Sequence, residues 1–191
     1  MAGCDVAAPL RARRGWAAVV VLTFPALEVI EEVTAEAALS FPYVPGYLAF
    51  REAPVLAAAL TRLASEPDLF LFDGQGLAHP RSLGLASYMG LLVGRPSIGV
   101  AKSRLCGAYT EPGPRRGDSS PLLDEAGREI GCVLRTRDNV KPLFVSVGHL
   151  VSLTEAVRLT LACGKGLRLP EPTRLADKLV GRAMRRELGR P

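Results

Sequence analysis

The alternation of apolar and polar positions along the chain predicts a mixture of strands and helices. Apolar runs predict strands at residues 2–6, 16–24, 27–34, 69–72, 97–100 and 142–147, with a β-hairpin at 122–134. Helical spacing predicts helices at 47–65, 81–93, 153–163 and 173–188, the third opened by a capping box at 152–155. This element order implies one α/β domain over residues 1–191, with a mixed central β-sheet and helices on both faces.

One of these strands leads directly into a cluster of polar residues. Four apolar residues, 69–72, run into Asp73, and Gly74-Gln75-Gly76, His79 and Arg81 follow. Such a run closed by glycines predicts a buried strand that ends in a tight turn, with its acid at the rim of the sheet where open α/β folds bind ligands. Asp before Gly also commonly caps a turn. The pattern alone therefore leaves both interpretations of Asp73 open.

Prolines and glycines mark three further features. Two prolines hold Tyr43 and Val44 in an extended turn at residues 42–46. Pro54 predicts the first turn of the main helix that follows, which would place Arg51 and Glu52 at the start of that helix. Residues 107–120, rich in Gly, Pro, Arg and Ser, predict a long polar loop.

The composition narrows the class of protein. With 48% hydrophobic and 23% charged residues the chain is typical of globular domains, and the apolar run 16–22 is too short to span a bilayer. No secretory signal is visible, and four scattered cysteines with two histidines favour buried thiols over a zinc site. We therefore expect a cytoplasmic protein.

The net charge of +5 suits a polyanionic partner without proving one. Part of the excess lies in arginine clusters at residues 11–14, 115–116 and 185–186, each of which is equally compatible with a solvated loop or helix end. Arg115 and Arg116, in the long polar loop, are the best candidates for contacts with backbone phosphates.

Three acids stand out by their context: Asp5 on the first strand, Glu52 near a helix start and Asp73 at a strand end. Carboxylates brought together from separate elements repel one another unless a cation neutralises them, and a hard divalent cation such as Mg²⁺ does so best. There is no Gly-x-Ser-x-Gly, no Walker phosphate loop and no dinucleotide-binding glycine pattern. Metal-dependent chemistry is favoured over covalent catalysis.

Five blocks of sequence resemble the signature blocks of the endonuclease V family. They occur in the family's order and span nearly the whole chain: PYVPGYLAFRE at 42–52, DGQGLAHPR at 73–81, IGVAKS at 98–103, KPLFVSVGH at 141–149 and PEPTRLAD at 170–177. The resemblance implies a ribonuclease H-like fold and Mg²⁺, with Mn²⁺ able to substitute. It also implies a monomer that nicks DNA containing deoxyinosine at the second phosphodiester bond 3′ to the lesion.

The resemblance also assigns catalytic roles. It implies that Asp5 and Asp73 are metal ligands, that Glu52 is a third catalytic acid and that Asp177 joins the same site. Lys102 would lie near the scissile phosphate. His79 would contact the phosphate or the leaving group, and the alternative is a turn histidine that bonds its own loop. In this interpretation His79 and Arg81 face the phosphate.

Recognition of the damaged base is assigned to a second group. Tyr43 resembles the family's wedge residue, held by Pro42, Val44 and Pro45, and would fill the gap left by the displaced base. Without the resemblance, Tyr43 would be interpreted as an aromatic ring packed beneath a turn. The resemblance places the base pocket at Gly46, Leu48, Gly74, Gly84 and Leu85. Helix packing is the alternative role for Gly84.

The sequence departs from the family pattern in two places. Members usually carry a helical segment before the first catalytic strand, which is missing here, so the chain is either shortened or starts upstream, and Asp5 would lie on a terminal strand prone to fraying. Ala8 replaces the aromatic residue usual three positions after the first acid. Three hypotheses remain: a deoxyinosine endonuclease, an inosine-specific endoribonuclease, and a lesion-binding module with impaired catalysis.

Overall fold

The computed structural model describes residues 1–10, 12–187 and 189, so Arg11 of the first arginine cluster and Leu188 of the last predicted helix lie outside the described residues. The strands are β1 (Ala2–Ala7), β2 (Arg14–Leu22), β3 (Val29–Ala38), β4 (Phe70–Phe72), β5 (Ser97–Ala101), β6 (Ser119–Leu123), β7 (Glu129–Leu134) and β8 (Leu143–His149). The helices are α1 (Leu48–Leu60), α2 (Leu85–Val93), α3 (Leu153–Ala162) and α4 (Glu171–Glu187). This is the predicted order of elements.

The strands form one eight-stranded mixed sheet in the order β3-β2-β1-β4-β5-β8-β7-β6. β1 lies inside the sheet, antiparallel to β2 and parallel to β4, with Cys4 opposite Phe72. Each of these two residues is followed by an acid, so the parallel pairing brings Asp5 and Asp73 to the same edge of the sheet. Hydrogen-bonded neighbours on both sides also hold β1 in place, which removes the expected fraying of the strand that carries Asp5.

Helices cover both faces of the sheet, as predicted. The alternation of side chains along β2 separates the two faces: Val19 and Val21 pack on the side of α1 and α2, while Val20 and Leu22 pack on the side of α3 and α4. Strands buried on both faces are apolar at almost every position, which explains the unbroken apolar run in this part of the sequence.

Helix α1 begins earlier than its proline indicated. It starts at Leu48, so Pro54 lies in the helix interior and not in its first turn. Proline there has no N–H for the carbonyl of Phe50, a loss that costs a helix interior about 3 kcal/mol. Val55 and Leu56 are fully buried, and their burial holds the helix together across the proline.

Other boundaries also differ from those predicted, and two of these differences have a clear structural cause. Helix α2 begins at Leu85 and not at residue 81, because the backbone N–H of Gly84 donates to the carbonyl of Gly76 (3.0 Å) and holds the preceding residues folded back on the glycine turn. Strand β3 continues to Ala38, past the predicted end at residue 34, because it stays paired with β2 along its length.

The long polar loop is well anchored by Arg135, which is 8% exposed. Its guanidinium donates to the carbonyls of Gly113 and Pro112 (both 2.9 Å) and to Glu111 (2.8 Å). The predicted hairpin (β6–β7) and the capping box at the start of α3 are both confirmed. Among the described residues, no helix combines the length and apolar composition needed to cross a membrane.

Candidate active site

Three carboxylates from distant parts of the chain meet at one edge of the sheet. Asp5 comes from β1, Asp73 follows β4, and Asp177 lies on α4, which packs against β1 and β2. One oxygen from each lies within 4.8 Å of the others. Glu52, on the second turn of α1, lines the same depression, which has a volume of about 470 Å³ and is called here the acidic cleft. The structure thus brings together all four predicted acids.

Lys102, at the end of β5, reaches into this cluster. Its Nζ lies 2.5 Å from Oδ2 of Asp73 and 2.7 Å from Oδ1 of Asp177. Burial opposes the charge on this ammonium group, but the hydrogen bonds to Asp177 and Asp73 outweigh it and raise the pKa of Lys102. The side chain therefore stays positively charged at neutral pH.

One lysine does not balance four acids, and burial together with the neighbouring negative charges raises the pKa values of three of them. Burial, with Asp73 nearby, raises the pKa of Asp5 to about 7, and burial with Asp5 and Asp73 raises the pKa of Glu52 to about 8. Burial also raises the pKa of Asp73, although Lys102 works against the shift. Crowded hard oxygen donors that resist ionisation fit a divalent cation such as Mg²⁺.

A second cavity adjoins the acidic cleft, and its lining is mainly apolar apart from Asp73, Lys102 and Arg104. This base cavity, as we call it, has a volume of about 370 Å³, and its lining includes every residue predicted for the base pocket: Gly46, Leu48, Gly74, Gly84 and Leu85. It shares Leu48, Asp73 and Lys102 with the acidic cleft. A group bound in the base cavity therefore lies beside the acids.

Two glycines of the base cavity are required by the backbone. Gly46 has a φ of 78°, in the left-handed region that favours glycine. A Cβ on Gly84 would lie 2.2 Å from the carbonyl oxygen of Gln75 and 2.8 Å from that of Gly76. Packing at the N-terminus of α2 thus explains Gly84, and the same close approach makes backbone groups part of the cavity wall.

The predicted wedge lies at the rim of the base cavity. Tyr43 is 50% exposed and lines the cavity together with Val44 and Pro45, whereas Pro42, also exposed, lies outside the lining. The interpretation of Tyr43 as a ring packed beneath a turn does not agree with this exposure. The ring that packs beneath the turn is Tyr47, which contacts Phe41 and Phe50.

His79 has one nitrogen committed to its own loop. It is 8% exposed, and its Nδ1 accepts a hydrogen bond from the backbone N–H of Arg81 (3.2 Å), which is the geometry of the turn histidine. Burial and the charge of Arg81 lower the pKa of His79. The neutral ring then carries its proton on Nε2, and the residue also lines the base cavity.

Arg81 lies elsewhere than expected, and Arg116 makes a contact within the protein. The guanidinium of Arg81 does not face the acids: it stacks on the ring of Tyr47 at 4.1 Å and donates to the carbonyl of Gly46 (3.3 Å). Arg116 donates to the carbonyl of Leu161 at the end of α3 (2.8 Å). This contact ties the long polar loop to α3, and the expected phosphate contacts of Arg115 and Arg116 stay a prediction.

The sequence did not reveal two residues that hold the site in place. Arg168 donates to the carbonyls of Lys102 (2.7 Å), Lys141 and Pro142. Arg51 is 4% exposed and donates to the carbonyls of Phe41, Pro9 and Ala12. Contacts of this kind depend on loop conformations, and no local sequence pattern predicts them. The one hint for Arg51 is its place beside Glu52 in the PYVPGYLAFRE block.

Comparison with known proteins agrees with this geometry. The model of the endonuclease V family matches residues 1–178. Endonuclease V of Nostoc punctiforme is 50% identical over 180 residues, which make up 94% of this chain and 81% of that protein.

Solved structures give the same result. The crystal structure of endonuclease V from Streptomyces avermitilis superimposes with a TM-score of 0.93 at 49% identity, covering 98% of this chain and 82% of that one. Endonuclease V of Ciona intestinalis, solved with a 24-mer DNA containing an inosine followed by a ribo-adenosine, gives 0.82 at 29% identity, covering 97% and 85%. The fold is thus the predicted ribonuclease H-like α/β fold, and the chain belongs to the endonuclease V family of nucleases.

Proposed function

We propose that this protein is a Mg²⁺-dependent endonuclease that nicks DNA strands containing deoxyinosine at the second phosphodiester bond 3′ to the lesion. The observation that carries the proposal is the continuity of the mainly apolar base cavity with the acidic cleft through Leu48, Asp73 and Lys102. When a displaced base occupies the base cavity, the nucleotides that follow it in the strand lie beside the carboxylates. Inosine-containing DNA in the complex of the Ciona relative supports this choice of substrate.

Asp5 and Asp73 would hold the metal, with Asp177 close enough to contribute. A bound Mg²⁺, or Mn²⁺ in its place, supplies activation of water and stabilisation of the departing 3′ oxygen. Lys102 places a compact positive charge beside the same oxygens, where a phosphate would gain negative charge in the transition state. Glu52, whose pKa of about 8 lies near neutrality, can hold or release a proton.

The base cavity would read the lesion through the backbone. Hypoxanthine presents an O6 acceptor and an N1–H donor, the reverse of the adenine pattern, and main-chain N–H and carbonyl groups around Gly46, Gly74 and Gly84 approach a bound base closely. Tyr43 at the rim would occupy the space that the base leaves in the stack. Leu48 and Leu85 supply the apolar walls. His79 would turn its protonated Nε2 towards the phosphate or the leaving group.

RNA containing inosine is the second candidate substrate. The Ciona complex contains a ribonucleotide directly after the inosine, so a relative accommodates a 2′-hydroxyl at the position nearest the cut. Matched DNA and RNA strands, cleaved side by side, decide between the two. We further propose that the protein acts as a single-domain monomer in the cytoplasm, where its unpaired cysteines would remain reduced.

The test is a nicking assay with an end-labelled inosine duplex, in which the position of the cut is mapped. We expect a cut at the second bond 3′ to inosine in Mg²⁺ and no cut in EDTA. Asp73→Asn should abolish nicking while inosine-selective binding survives, whereas Glu66→Gln, at an exposed acid far from the cleft, should match the wild type. Selective binding by the wild type without nicking at any Mg²⁺ or Mn²⁺ concentration would instead identify a lesion-binding module.

A further inference from the structure

A groove along α4 continues the acidic cleft on the side away from the base cavity. This α4 groove has a volume of about 530 Å³ and is lined by Leu175, Asp177, Lys178, Gly181, Arg182 and Arg185. It shares Asp177, Gly181 and Arg185 with the acidic cleft, and none of its lining residues lines the base cavity. The three depressions therefore lie in series, with the acids in the middle.

The α4 groove is cationic. Lys178, Arg182 and Arg185 are all exposed, and Asp177 is the only acid among the lining residues. Within the described part of the chain, none of the three cations forms an ion pair with a carboxylate. Exposed cations in a row without acidic partners match the charge pattern of a nucleic-acid backbone.

The α4 groove is long enough to follow a nucleic-acid strand. Asp177, Gly181 and Arg185 recur every four residues and lie along one face of α4. Eight residues of helix span about 12 Å, and a B-form strand carries one phosphate about every 3.4 Å of duplex axis, so at least two phosphates fit. A Cβ on Gly181 would meet only the guanidinium of Arg185, at 3.4 and 3.9 Å. The glycine thus leaves the passage from the acids to Arg185 open.

We propose that Lys178, Arg182 and Arg185 bind the phosphates of the cleaved strand on the 3′ side of the cut. The inference rests on the proposed function, which places the damaged base in the base cavity and the second bond 3′ to it at the acids. A strand that runs through these two sites in that order continues into the α4 groove. The other walls of the acidic cleft, at Val6, Ala7 and Val180, offer no cation.

Arg185→Gln tests the proposal, with Arg186→Gln as a matched control. Arg186 is the next residue on the same helix and carries the same charge, but it lines a different depression together with Arg14 and Arg62. Two inosine duplexes are compared, one with natural phosphates and one with uncharged methylphosphonates at the first two positions 3′ to the cut. The wild type and Arg186→Gln should show a KM about fivefold higher on the methylphosphonate duplex, the loss expected when a phosphate contact is removed.

Arg185→Gln should already have the higher KM on the natural duplex and lose little more on the modified one. For this variant the slope of log KM against log salt concentration should be smaller, by about the amount that one phosphate contact contributes. Arg185→Lys should restore most of the affinity. Equal KM values and equal methylphosphonate sensitivity for Arg185→Gln and an active wild type would overturn this inference alone. Absence of inosine-directed nicking by the wild type would overturn the proposed function, and the inference with it.

Discussion

The guanidinium of Arg168 donates a hydrogen bond of 2.7 Å to the carbonyl oxygen of Lys102. The same side chain donates to the carbonyl of Lys141 (2.8 Å) and to that of Pro142 (2.9 Å). Arg168 thereby ties the end of β5 to the start of β8 from the segment between α3 and α4. The position from which the Lys102 side chain reaches Asp73 and Asp177 is set by this contact.

Replacing Arg168 should therefore affect the chemical step more than binding. Arg168→Gln loses at least two of the three hydrogen bonds, and displacement of Lys102 by about 1 Å is expected to lower kcat by ten- to a hundredfold. KM should change less than threefold, because Arg168 itself does not line the base cavity. Steady-state nicking kinetics separate the two constants, with Arg158→Gln on the exposed face of α3 as the control. A change confined to KM would contradict the positioning role.

Tyr43→Ala should separate duplex from single-stranded substrates. A stacked aromatic ring is worth about 1–3 kcal/mol, so kcat/KM on an inosine duplex should fall by about ten- to a hundredfold. An inosine single strand needs no filler for a vacated stack and should lose much less. Tyr43→Phe keeps the ring and should resemble the wild type. Equal losses on the two substrates would show that Tyr43 does not act as a wedge.

Gly84→Ala and Gly74→Ala should fail in different ways. A Cβ at Gly84 overlaps two carbonyl oxygens, so the backbone must move and the free energy of unfolding should fall by about 1–3 kcal/mol. A Cβ at Gly74 makes only ordinary contact with Leu85, at 3.5 Å. That variant should fold normally but bind inosine weakly, because the methyl group narrows the base cavity. Urea unfolding and inosine-selective binding, measured on both variants, test this contrast.

The stability of the metal-free protein should fall as the pH rises. The folded state holds the pKa of Asp5 at about 7 and that of Glu52 at about 8, above the ordinary carboxyl range, so it binds more protons than the unfolded chain between pH 5 and 8. This stabilisation is complete below the ordinary carboxyl pKa, and it is lost as the pH rises through the folded-state pKa values of about 7 and about 8. In EDTA, Tm should drop by about 5 °C or more between pH 5.5 and 9.

Two further measurements, on a Glu52 variant and with added Mg²⁺, distinguish these carboxyls from other titrating groups. Glu52→Gln should flatten the pH profile of Tm, because the amide does not ionise. Mg²⁺ should raise Tm most at high pH, where metal and protons no longer compete for the same oxygens. A Tm for the metal-free protein that climbs steadily over this range would contradict the assignment.

The sequence predicted the two central acids because the signal for them is local. An apolar run that ends in Asp73 marks a strand end, and the parallel partner of that strand ends its buried part at Cys4, just before Asp5. Glu52 also stood out by its place near a helix start, and the family resemblance then supplied Lys102 and Asp177. Alternating and helical patterns likewise predicted the order of all the elements, because burial on one or both faces leaves a regular trace in sequence.

Boundaries and long-range polar contacts could not be predicted in this way. Pro54 indicated a helix start by a local rule, but the burial of Val55 and Leu56 extends α1 through the proline. Arg81 and Arg168 each bind carbonyls from loops distant in sequence, and the position of those carbonyls depends on the completed fold. The α4 groove consists of cations at helical spacing beside a glycine. It can be recognised as a continuation of the acidic cleft only once the fold shows that Asp177 lies in that cleft.

The position of Asp177 on the last helix has a consequence for the order of events during synthesis. β1 and β4 are made early, but the third carboxylate of the cluster arrives only with α4, whose Ala176 and Val180 also cover the sheet. A nascent chain that still lacks α4 has neither the third carboxylate of the cluster that we propose binds a divalent cation nor the α4 groove beside it. We therefore expect a nascent chain to gain nicking activity only after α4 has been made, when the proposed base cavity is already in place.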